Sequence, residues 1–404
     1  MIKNRIAYNE YCSHRINLSR AEGSYVWDER GKRYIDFTSG WNVMNLGWNH
    51  PEVTAAIVEQ AKKNVYAPLW GSDPVQEEYA EQLTAVLPKE LAVCVKATGG
   101  TEAIEESIKI ARAATGRKKI IGFRDTYHGQ LFAAMALGFS ENLVRAIAPL
   151  VPEFIQLTYP RDTGDGTVLQ KFLNDLETAL SPKDIAAIVT EPGIVTGWGS
   201  VVMAPSGYLK EVRQLASKYG TLLIVDEVGT GFSRTGKFFG IEREEVIPDM
   251  ICLAKGISNG GAAIGAVVGK SEIIEPTTPS TNLTSTFGWT PIACAAALKT
   301  LEIHQREKTW EQSQAKGSYL ITHLKSRLNG NPRVVDIRGL GMEIGIEIQH
   351  DATLYNKILA TAADNGLHLV GNTESLIQIM PPLTIPQGDL DEGLEILIRA
   401  LSVS

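Results

Sequence analysis

The sequence has few of the features that mark specialised proteins. Only 4 of its 404 residues are cysteine and none forms a CxxC pair, so we expect reduced thiols and no disulfide. No apolar run reaches the length that crosses a bilayer. The start of the chain is charged and lacks the apolar core of a secretory signal, which favours a cytoplasmic protein. The cysteines are Cys12, Cys94, Cys252 and Cys294.

Further absences remove whole classes of function. A net charge of −7 offers no basic face to a nucleic acid. No GxGxxG motif follows an early strand, which disfavours a nicotinamide dehydrogenase. The histidines, His14 among them, show no HxxxH spacing, so we expect no metal site. The stretch from Gly231 to Lys237 approaches a P-loop, but Phe238 stands where a magnesium-binding Ser or Thr is required, which disfavours a nucleotide hydrolase.

Length and composition predict two domains. A chain of 404 residues exceeds one ordinary domain, and 44% hydrophobic with 21% charged residues is typical of a globular protein. We assign residues 1–50 to an N-terminal segment of the small domain, 51–295 to a large domain, and 296–404 to the C-terminal, α+β small domain. In the first segment, GSYVWDERGKRYIDF predicts a hairpin that turns between Asp28 and Gly31.

The middle of the chain predicts an α/β fold. Apolar, β-branched segments alternate with helical stretches, which indicates a mostly parallel sheet covered on both faces. The helix after Gly100 is expected to bury one face and to pair Glu105 with Lys109 on the other. Residues that follow such strands matter most, because these sheets bind ligands beyond their carboxyl ends. The strand candidates are LAVCVKA, KKIIGF, FIQLTY, DIAAIVT, TLLIVD, DMICLA and AIGAVVG.

Two of the polar features after these strands suit a phosphate and a cation. Gly99, Gly100 and Thr101 open a helix, where free amides and a hydroxyl can bind a phosphate, although a plain strand-to-helix turn has the same look. Asp226 ends TLLIV, where a carboxylate can hold a metal ion or a protonated ring nitrogen.

The other two features suit an aldehyde and a flat ring. Lys255 ends DMICLA, where desolvation lowers the pKa of an amine and makes it a nucleophile; the alternative is a surface lysine with a buried stem. Tyr127, followed by His128 and Gly129, can stack on a ring or simply pack in the core.

Taken together, the motifs resemble those of one family. The order TGGTEA, YHG, EP, DEV-GTGF, AKG and STF is similar to that of class III aminotransferases, and the resemblance runs from about Gly23 to Leu397. It implies fold type I of the pyridoxal-phosphate (PLP) dependent transferases, with a large domain around a mostly parallel seven-stranded sheet. It also implies PLP as cofactor and ping-pong transfer of an amino group from a small-molecule donor to a keto acceptor.

The resemblance assigns roles to individual residues. Lys255 would hold PLP as a Schiff base and then shuttle a proton, and Asp226 would pair with the pyridine nitrogen. Tyr127 would stack on the ring. Thr286 would contact the phosphate from the partner subunit, which implies a homodimer. The remaining cofactor contacts would be Gly99, which relatives usually replace by Ser, together with Gly100, Thr101 and Val228.

The departures from the family pattern concern the substrate. Relatives that use glutamate often have Arg where this chain has Gln130 and Gln378, and others have Arg near Gly371. Since a carboxylate is best bound by a guanidinium, we expect an amine, an ω-amino compound or alanine to be preferred over glutamate as donor. Arg124, Arg145 and Arg161 stay open as replacements. The further candidates for the substrate side are Trp41, Trp70 and Glu191.

Other functions stay open at this level. A racemase, decarboxylase or aminomutase can use the same fold, because the pocket decides which bond the cofactor breaks. A glutamate/2-oxoglutarate-linked aminotransferase and a catalytically silent protein of the same fold are further alternatives.

Overall fold

The computed structural model describes residues 16–197 and 199–402. Cys12 and His14 lie outside this part of the chain. Within it the remaining cysteines are free thiols, as predicted, and none of the helices combines the length and apolarity needed to cross a membrane. The main strands are β1 Leu18–Glu22, β2 Tyr25–Asp28, β3 Arg33–Asp36, β4 Val93–Ala97, β5 Lys119–Phe123, β6 Phe154–Leu157, β7 Ile185–Thr190, β8 Ile194–Val195, β9 Val202–Met203, β10 Leu222–Asp226, β11 Met250–Leu253, β12 Gly265–Gly269, β13 Val334–Leu340, β14 Glu343–Ile348, β15 Leu367–His368, β16 Val370–Thr373 and β17 Leu376–Ile379.

Helices separate most of these strands. In chain order they are α1 Ser39–Asn42, α2 Pro51–Lys63, α3 Pro74–Ala85, α4 Gly100–Thr115, α5 Phe132–Ala136, α6 Glu141–Val144, α7 Thr167–Leu180, α8 Tyr208–Tyr219, α9 Ser271–Thr281, α10 Pro291–Glu307, α11 Thr309–Arg327, α12 Ala352–Asp364 and α13 Gln387–Ser402. Short 3₁₀ turns cover Arg145–Ile147, Gly240–Arg243 and Lys255–Ser258. α1 differs from the others, because it is a single turn in left-handed conformation.

The seven strands predicted for the middle of the chain form one sheet. Their order is β4-β12-β11-β10-β7-β5-β6, and β12 alone runs antiparallel to its neighbours. Along β10, Leu223 and Val225 belong to one apolar cluster and Ile224 to another. Successive side chains point to opposite faces of a strand, so both faces are buried under helices. The mostly parallel α/β fold is confirmed.

The ends of the chain build two further sheets. β2 and β3 form the predicted hairpin, which closes at the turn from Asp28 to Gly31, and β3 pairs with β15 from the far end of the sequence. β13, β14, β17 and β16 form an antiparallel sheet. α11 contacts β13 and β14, and α12 and α13 share one apolar cluster with this sheet. Ile35 and Phe37 lie in the same apolar cluster as these C-terminal elements. The domain limits given above stay a prediction.

One expected ion pair on α4 is wrong. Lys109 contacts Glu106 at 2.7 Å and not Glu105. The carboxylate of Glu105 instead accepts hydrogen bonds from the backbone N–H groups of Ala133 and Ala134, both at 3.0 Å. These are N–H groups at the start of α5, which have no partner inside that helix. Glu105 therefore fixes the segment that follows Tyr127.

A buried arginine joins the three parts of the fold. Arg234, in the loop after β10, is fully buried. Its guanidinium donates to the carbonyls of Met342 at 3.2 Å and Pro381 at 2.7 Å, and to the side chains of Ser39 at 3.3 Å and Asn45 at 2.7 Å. Burial lowers the pKa of Arg234 to about 10, so the side chain stays protonated at neutral pH.

We expect Arg234→Met to lower the free energy of unfolding by about 3 kcal/mol or more, because four buried acceptors lose their donor. Urea denaturation followed by circular dichroism measures the change. Arg306→Met is the matched control. Arg306 makes an exposed ion pair with Glu52 at 2.7 Å, and exposed pairs of this kind contribute little to stability. Equal losses in the two variants would contradict the structural role of Arg234.

Candidate active site

A cavity of about 410 Å³ opens at the carboxyl edge of the seven-stranded sheet. Its walls come from the ends of β4, β7, β10 and β11 and from the loop after β5. Most of the residues predicted to bind the cofactor are brought together there. The predicted residues that line it are Gly99, Gly100, Thr101, Tyr127, Glu191, Asp226, Val228 and Lys255.

Lys255 enters the cavity from a strained turn. β11 ends at Leu253, and two residues later the backbone of Lys255 adopts a φ of 50°. A left-handed conformation is unfavourable for a residue with a side chain, and such residues cluster at functional sites. The side chain is half-buried. The sequence identified Lys255 by its place after a strand. Its strained backbone is a second sign of a functional residue, which the structure adds.

Asp226 is held by two donors. Its Oδ1 accepts the backbone N–H of Val228 at 2.8 Å, and its Oδ2 lies 2.6 Å from Nδ1 of His128. The side chains of Asp226 and His128 are both buried. Burial lowers the pKa of His128, but the hydrogen bond and charge of Asp226 outweigh it, so the pKa is raised. The contact with His128 fixes the direction of the Asp226 carboxylate.

The side of the cavity that best suits an anion is the start of α4. Gly100 is the first residue of this 16-residue helix, whose free N–H groups attract an anion. A side chain at Gly100 would meet Cγ1 of Val228 at 2.8 Å. The backbone therefore needs glycine there to pass under Val228. Thr101 adds a hydroxyl beside these N–H groups.

Tyr127 lines the cavity, whereas Gln130 does not. The Tyr127 ring is half-buried and packs against Phe139, with 5.7 Å between ring centroids. Burial raises the pKa of Tyr127, and Gln130 forms a hydrogen bond with its hydroxyl. Gln130 itself is exposed. Its role is therefore support of Tyr127 from the outside.

Four other candidates lie away from the cavity lining of this chain. Trp70 is 90% exposed, and Thr286 is exposed as well. Trp41 and Gln378 contact each other, since the indole Nε1 donates to Oε1 of Gln378 at 2.9 Å. None of the open arginine candidates lines the cavity either. These are Arg124, Arg145 and Arg161.

Two groups beside the cavity were not singled out from the sequence. Thr196 lines the cavity and donates to Oε2 of Glu191 through its N–H and its hydroxyl, both at 2.8 Å. Glu343 is fully buried and accepts from Gln378 at 2.9 Å and Asn42 at 2.6 Å. The signal for Glu343 was a carboxylate inside the apolar strand MEIGIEI, because ionised side chains are almost never fully buried without a partner.

The cavity meets the chemical needs of PLP. An aromatic aldehyde with a phosphate requires an amine, a carboxylate for its ring nitrogen, and an anion site. Lys255, Asp226 and the start of α4 supply these within one cavity. The volume lies in the ordinary range for cofactor sites. His128 orients the carboxylate of Asp226, and a carboxylate beside a ring nitrogen favours the protonated form of that nitrogen.

Known proteins share this chain's fold and length. The family model for class III aminotransferases matches residues 7–401. The 5-aminovalerate aminotransferase DavT of Pseudomonas aeruginosa is 36% identical over 95% of this chain and 93% of its own. An acetylornithine aminotransferase of Methanopyrus kandleri is 34% identical over 98% and 97%. The crystal structure of an (S)-enantioselective omega-transaminase from Thermomicrobium roseum has a TM-score of 0.89 at 33% identity, covering 96% of this chain and 92% of that one.

These similarities extend over nearly the whole chain and include the arrangement of the sheet. Members of the family depend on PLP, the compound whose needs the cavity meets. The chain therefore belongs to the class III aminotransferases and is a PLP-dependent aminotransferase of fold type I.

Proposed function

We propose that the enzyme takes an amino group from an amine, an ω-amino compound or alanine in preference to glutamate, and that Lys255 and Asp226 carry the chemistry. One observation carries the substrate proposal. Among the residues that the structure describes, Lys255 is the only lysine or arginine that lines the cavity. A donor with two carboxylates would have no guanidinium to bind the second one.

Lys255 and Asp226 act at opposite ends of the reacting system. PLP supplies the carbonyl carbon that accepts the amino group and a ring that withdraws electrons. The Nζ of Lys255 would hold the cofactor and would move the proton that leaves the substrate carbon. Oδ2 of Asp226 contacts His128, and the carboxylate so oriented would hold a proton at the ring nitrogen.

The other residues orient the cofactor. Gly99, Gly100 and Thr101 bind the phosphate at the start of α4, and Tyr127 covers one face of the ring. Val228 packs on the ring from the side of β10. In support, all five line the same cavity as Lys255. Such fixed contacts keep the reacting atoms in line and so lower the entropy cost of the reaction.

We also propose a homodimer in which Thr286 contacts the phosphate of the partner's site. Thr286 is exposed and outside the lining of its own chain's cavity. Phe287, the next residue, is 64% exposed, and Leu69 and Trp70, a few residues after Tyr66 in the sequence, are 58% and 90% exposed. Tyr66 and Phe287 are in ring contact at 5.9 Å. Surfaces of this kind mark protein interfaces.

We propose a cytoplasmic location. The free thiols of Cys94, Cys252 and Cys294 support it, since exported proteins tend to form disulfides. Burial raises the pKa of Cys94 to about 12, so its thiol is unreactive. These cysteines therefore fill space in the core.

Lys255→Ala is expected to lose the covalent link to PLP, its visible absorbance, and transamination. Loss of the proton transfer alone lowers kcat by about 10²- to 10⁴-fold. Absorbance spectra and mass spectrometry after borohydride reduction measure the link. Lys237→Ala is the control, because Lys237 is exposed and does not line the cavity. Turnover by Lys255→Ala at the wild-type rate would disprove the assignment.

The donor preference can be measured in single turnovers without an acceptor. We expect glutamate to convert the bound cofactor at least about tenfold more slowly than alanine or a simple primary amine, because a missing charge-assisted contact costs about 1.5–3 kcal/mol. Stopped-flow absorbance follows the reaction. Fastest conversion by glutamate would refute the proposed preference and leave the role of Lys255 intact.

Mixed dimers test whether Thr286 acts across the interface. We expect Thr286→Ala to weaken PLP binding about ten- to a hundredfold, because a hydrogen bond to a charged group is lost. Consider a dimer of one Lys255→Ala and one Thr286→Ala protomer. If each site takes residue 255 from one chain and residue 286 from the other, one site has both defects and the other site has neither. Such dimers should therefore regain one site with normal PLP affinity and activity.

Differently tagged protomers, co-purified and titrated with PLP, provide the measurement. If Thr286 acted within its own chain, each site of the mixed dimer would keep one defect, and normal PLP affinity would not return at any site that is active. The Thr286→Ala homodimer gives the reference affinity.

A further inference from the structure

We propose that the amino donor carries a second cationic group and that Glu191 binds this group. Glu343 lies behind Glu191 and supports it. The preferred substrates are then diamines. This inference rests on the proposed function and narrows its substrate class. It depends on the contacts of two buried carboxylates beside Lys255.

Glu191 presents an oxygen without a partner. The side chain lines the cavity and is only 3% exposed. Thr196 supplies two donors to Oε2, but within the described residues Oε1 has no hydrogen-bond partner. A buried acceptor left unpaired costs about 1–3 kcal/mol, and more if charged. A ligand that donates a hydrogen bond removes this cost, and an ammonium group donates three.

Glu343 places a second carboxylate behind the first. It is joined to the Glu191 side through Gln378, whose Nε2 donates to Oε1 of Glu343 at 2.9 Å and to the carbonyl of Thr196 at 3.1 Å. Asn42 donates to the other oxygen of Glu343. Its own Oδ1 is buried and lacks a partner in the described part of the chain. This wall of the site therefore has an excess of acceptors.

Within the described residues, no ion pair neutralises the carboxylates of Glu191 and Glu343. Arg234 gives its hydrogen bonds to neutral acceptors, and none of the ion pairs among residues 16–197 and 199–402 joins it to Glu343. Burial raises the pKa of Glu343 to about 7, against the opposing charges of Arg234 and Lys255. Burial and the charge of Asp226 raise the pKa of Glu191. A cation brought by the substrate would stabilise both carboxylates in their ionised form.

Lys255, Glu191 and Thr196 line the same cavity. A side chain at Gly229 would place its Cβ 2.2 Å from Oγ1 of Thr196 and 3.6 Å from Nζ of Lys255. Glycine at this position therefore lets Thr196, which holds Glu191, approach the backbone close to the amine of Lys255. A donor whose first amino group reacts at Lys255 can extend its second toward Glu191.

The polar wall is held by an unfavourable backbone. Residues 39–42 have φ values of 46°, 57°, 67° and 65°, although left-handed conformation costs about 1–2 kcal/mol for a residue with a side chain. The turn directs Asn42 to Glu343 and Trp41 to Gln378. Asp36 anchors it by accepting the N–H of Ser39 at 3.0 Å. These contacts maintain the strained turn at residues 39–42, and they also fix the positions of Glu343 and Gln378.

Three five-carbon donors test the inference on the holoenzyme. They are 1,5-diaminopentane, pentylamine and 5-aminopentanoate, which share one chain length and end in an ammonium, a methyl and a carboxylate. In single-turnover stopped flow we expect the diamine to have a kcat/KM about ten- to a hundredfold above pentylamine, with the carboxylate lowest. Charge pairs in desolvated sites have this strength.

Variants assign the preference to residues. Glu191→Gln should reduce the diamine-to-pentylamine ratio of kcat/KM at least about tenfold, because it removes the charge and keeps the shape. Glu343→Gln should lower the same ratio through KM, as expected of a positioning residue. Glu59→Gln, which affects an exposed pair with Lys62, is the control and should change nothing.

Binding without reaction gives an independent measurement. N,N,N′,N′-tetramethyl-1,5-diaminopentane cannot form an imine, and calorimetry on the holoenzyme should show it binding about tenfold more tightly than N,N-dimethylpentylamine. Glu191→Gln should abolish that difference.

The outcomes separate the two proposals. If neither alanine nor any of the amines converts the cofactor, the proposed function fails. If pentylamine reacts as fast as the diamine, or 5-aminopentanoate reacts fastest, the diamine inference is overturned while the role of Lys255 stands. An unchanged ratio in Glu191→Gln overturns it as well.

Discussion

The parallel pairing of β10 with β11 is the constraint on which the site depends. Asp226 lies opposite Cys252 in the register of these strands, and Lys255 follows Cys252 by three residues. The hydrogen bonds between β10 and β11 thus fix a carboxylate and an amine at neighbouring strand ends. There the cavity is bounded by backbone and by core side chains. Because both strands are buried on both faces, neither group can shift without breaking the sheet. The strained turn at Lys255 is tolerated because the surroundings determine it.

A second theme is how the fold accommodates buried charge. Asp226 has His128 beside it, and Arg234 has four acceptors distributed over three segments of the chain. Both charged groups have polar partners within the protein, although Nε of Arg234 has none among the described residues. Glu191 and Glu343 differ, since their donors are neutral groups and one oxygen of Glu191 has none among the described residues. Buried ions persist only where something compensates them, and in an enzyme the compensating group can be the substrate.

Sequence patterns predicted most of the fold and the cofactor side of the site. The strands were visible as apolar runs, and Asp226 and Lys255 were found because polar residues at strand ends converge in this fold. The predicted pairing of Glu105 with Lys109 was wrong. Spacing along one helix contains no information on the free N–H groups of a neighbouring helix, and these groups compete for the carboxylate. Glu343 was missed because its position reads as apolar strand. Positions that depend on a second subunit cannot be read from one chain's periodicity.

The pairing of β3 with β15 has a consequence for biosynthesis. A ribosome releases residues 33–36 more than three hundred residues before their partner at 367–368. The seven-stranded sheet is complete by residue 269, so it can form while the N-terminal hairpin still lacks its neighbour. Arg234 likewise waits for Met342 and Pro381. Glu343 and Gln378 therefore reach their places behind Glu191 only after the residues that line the cavity, which lie between 43 and 264, have been synthesised.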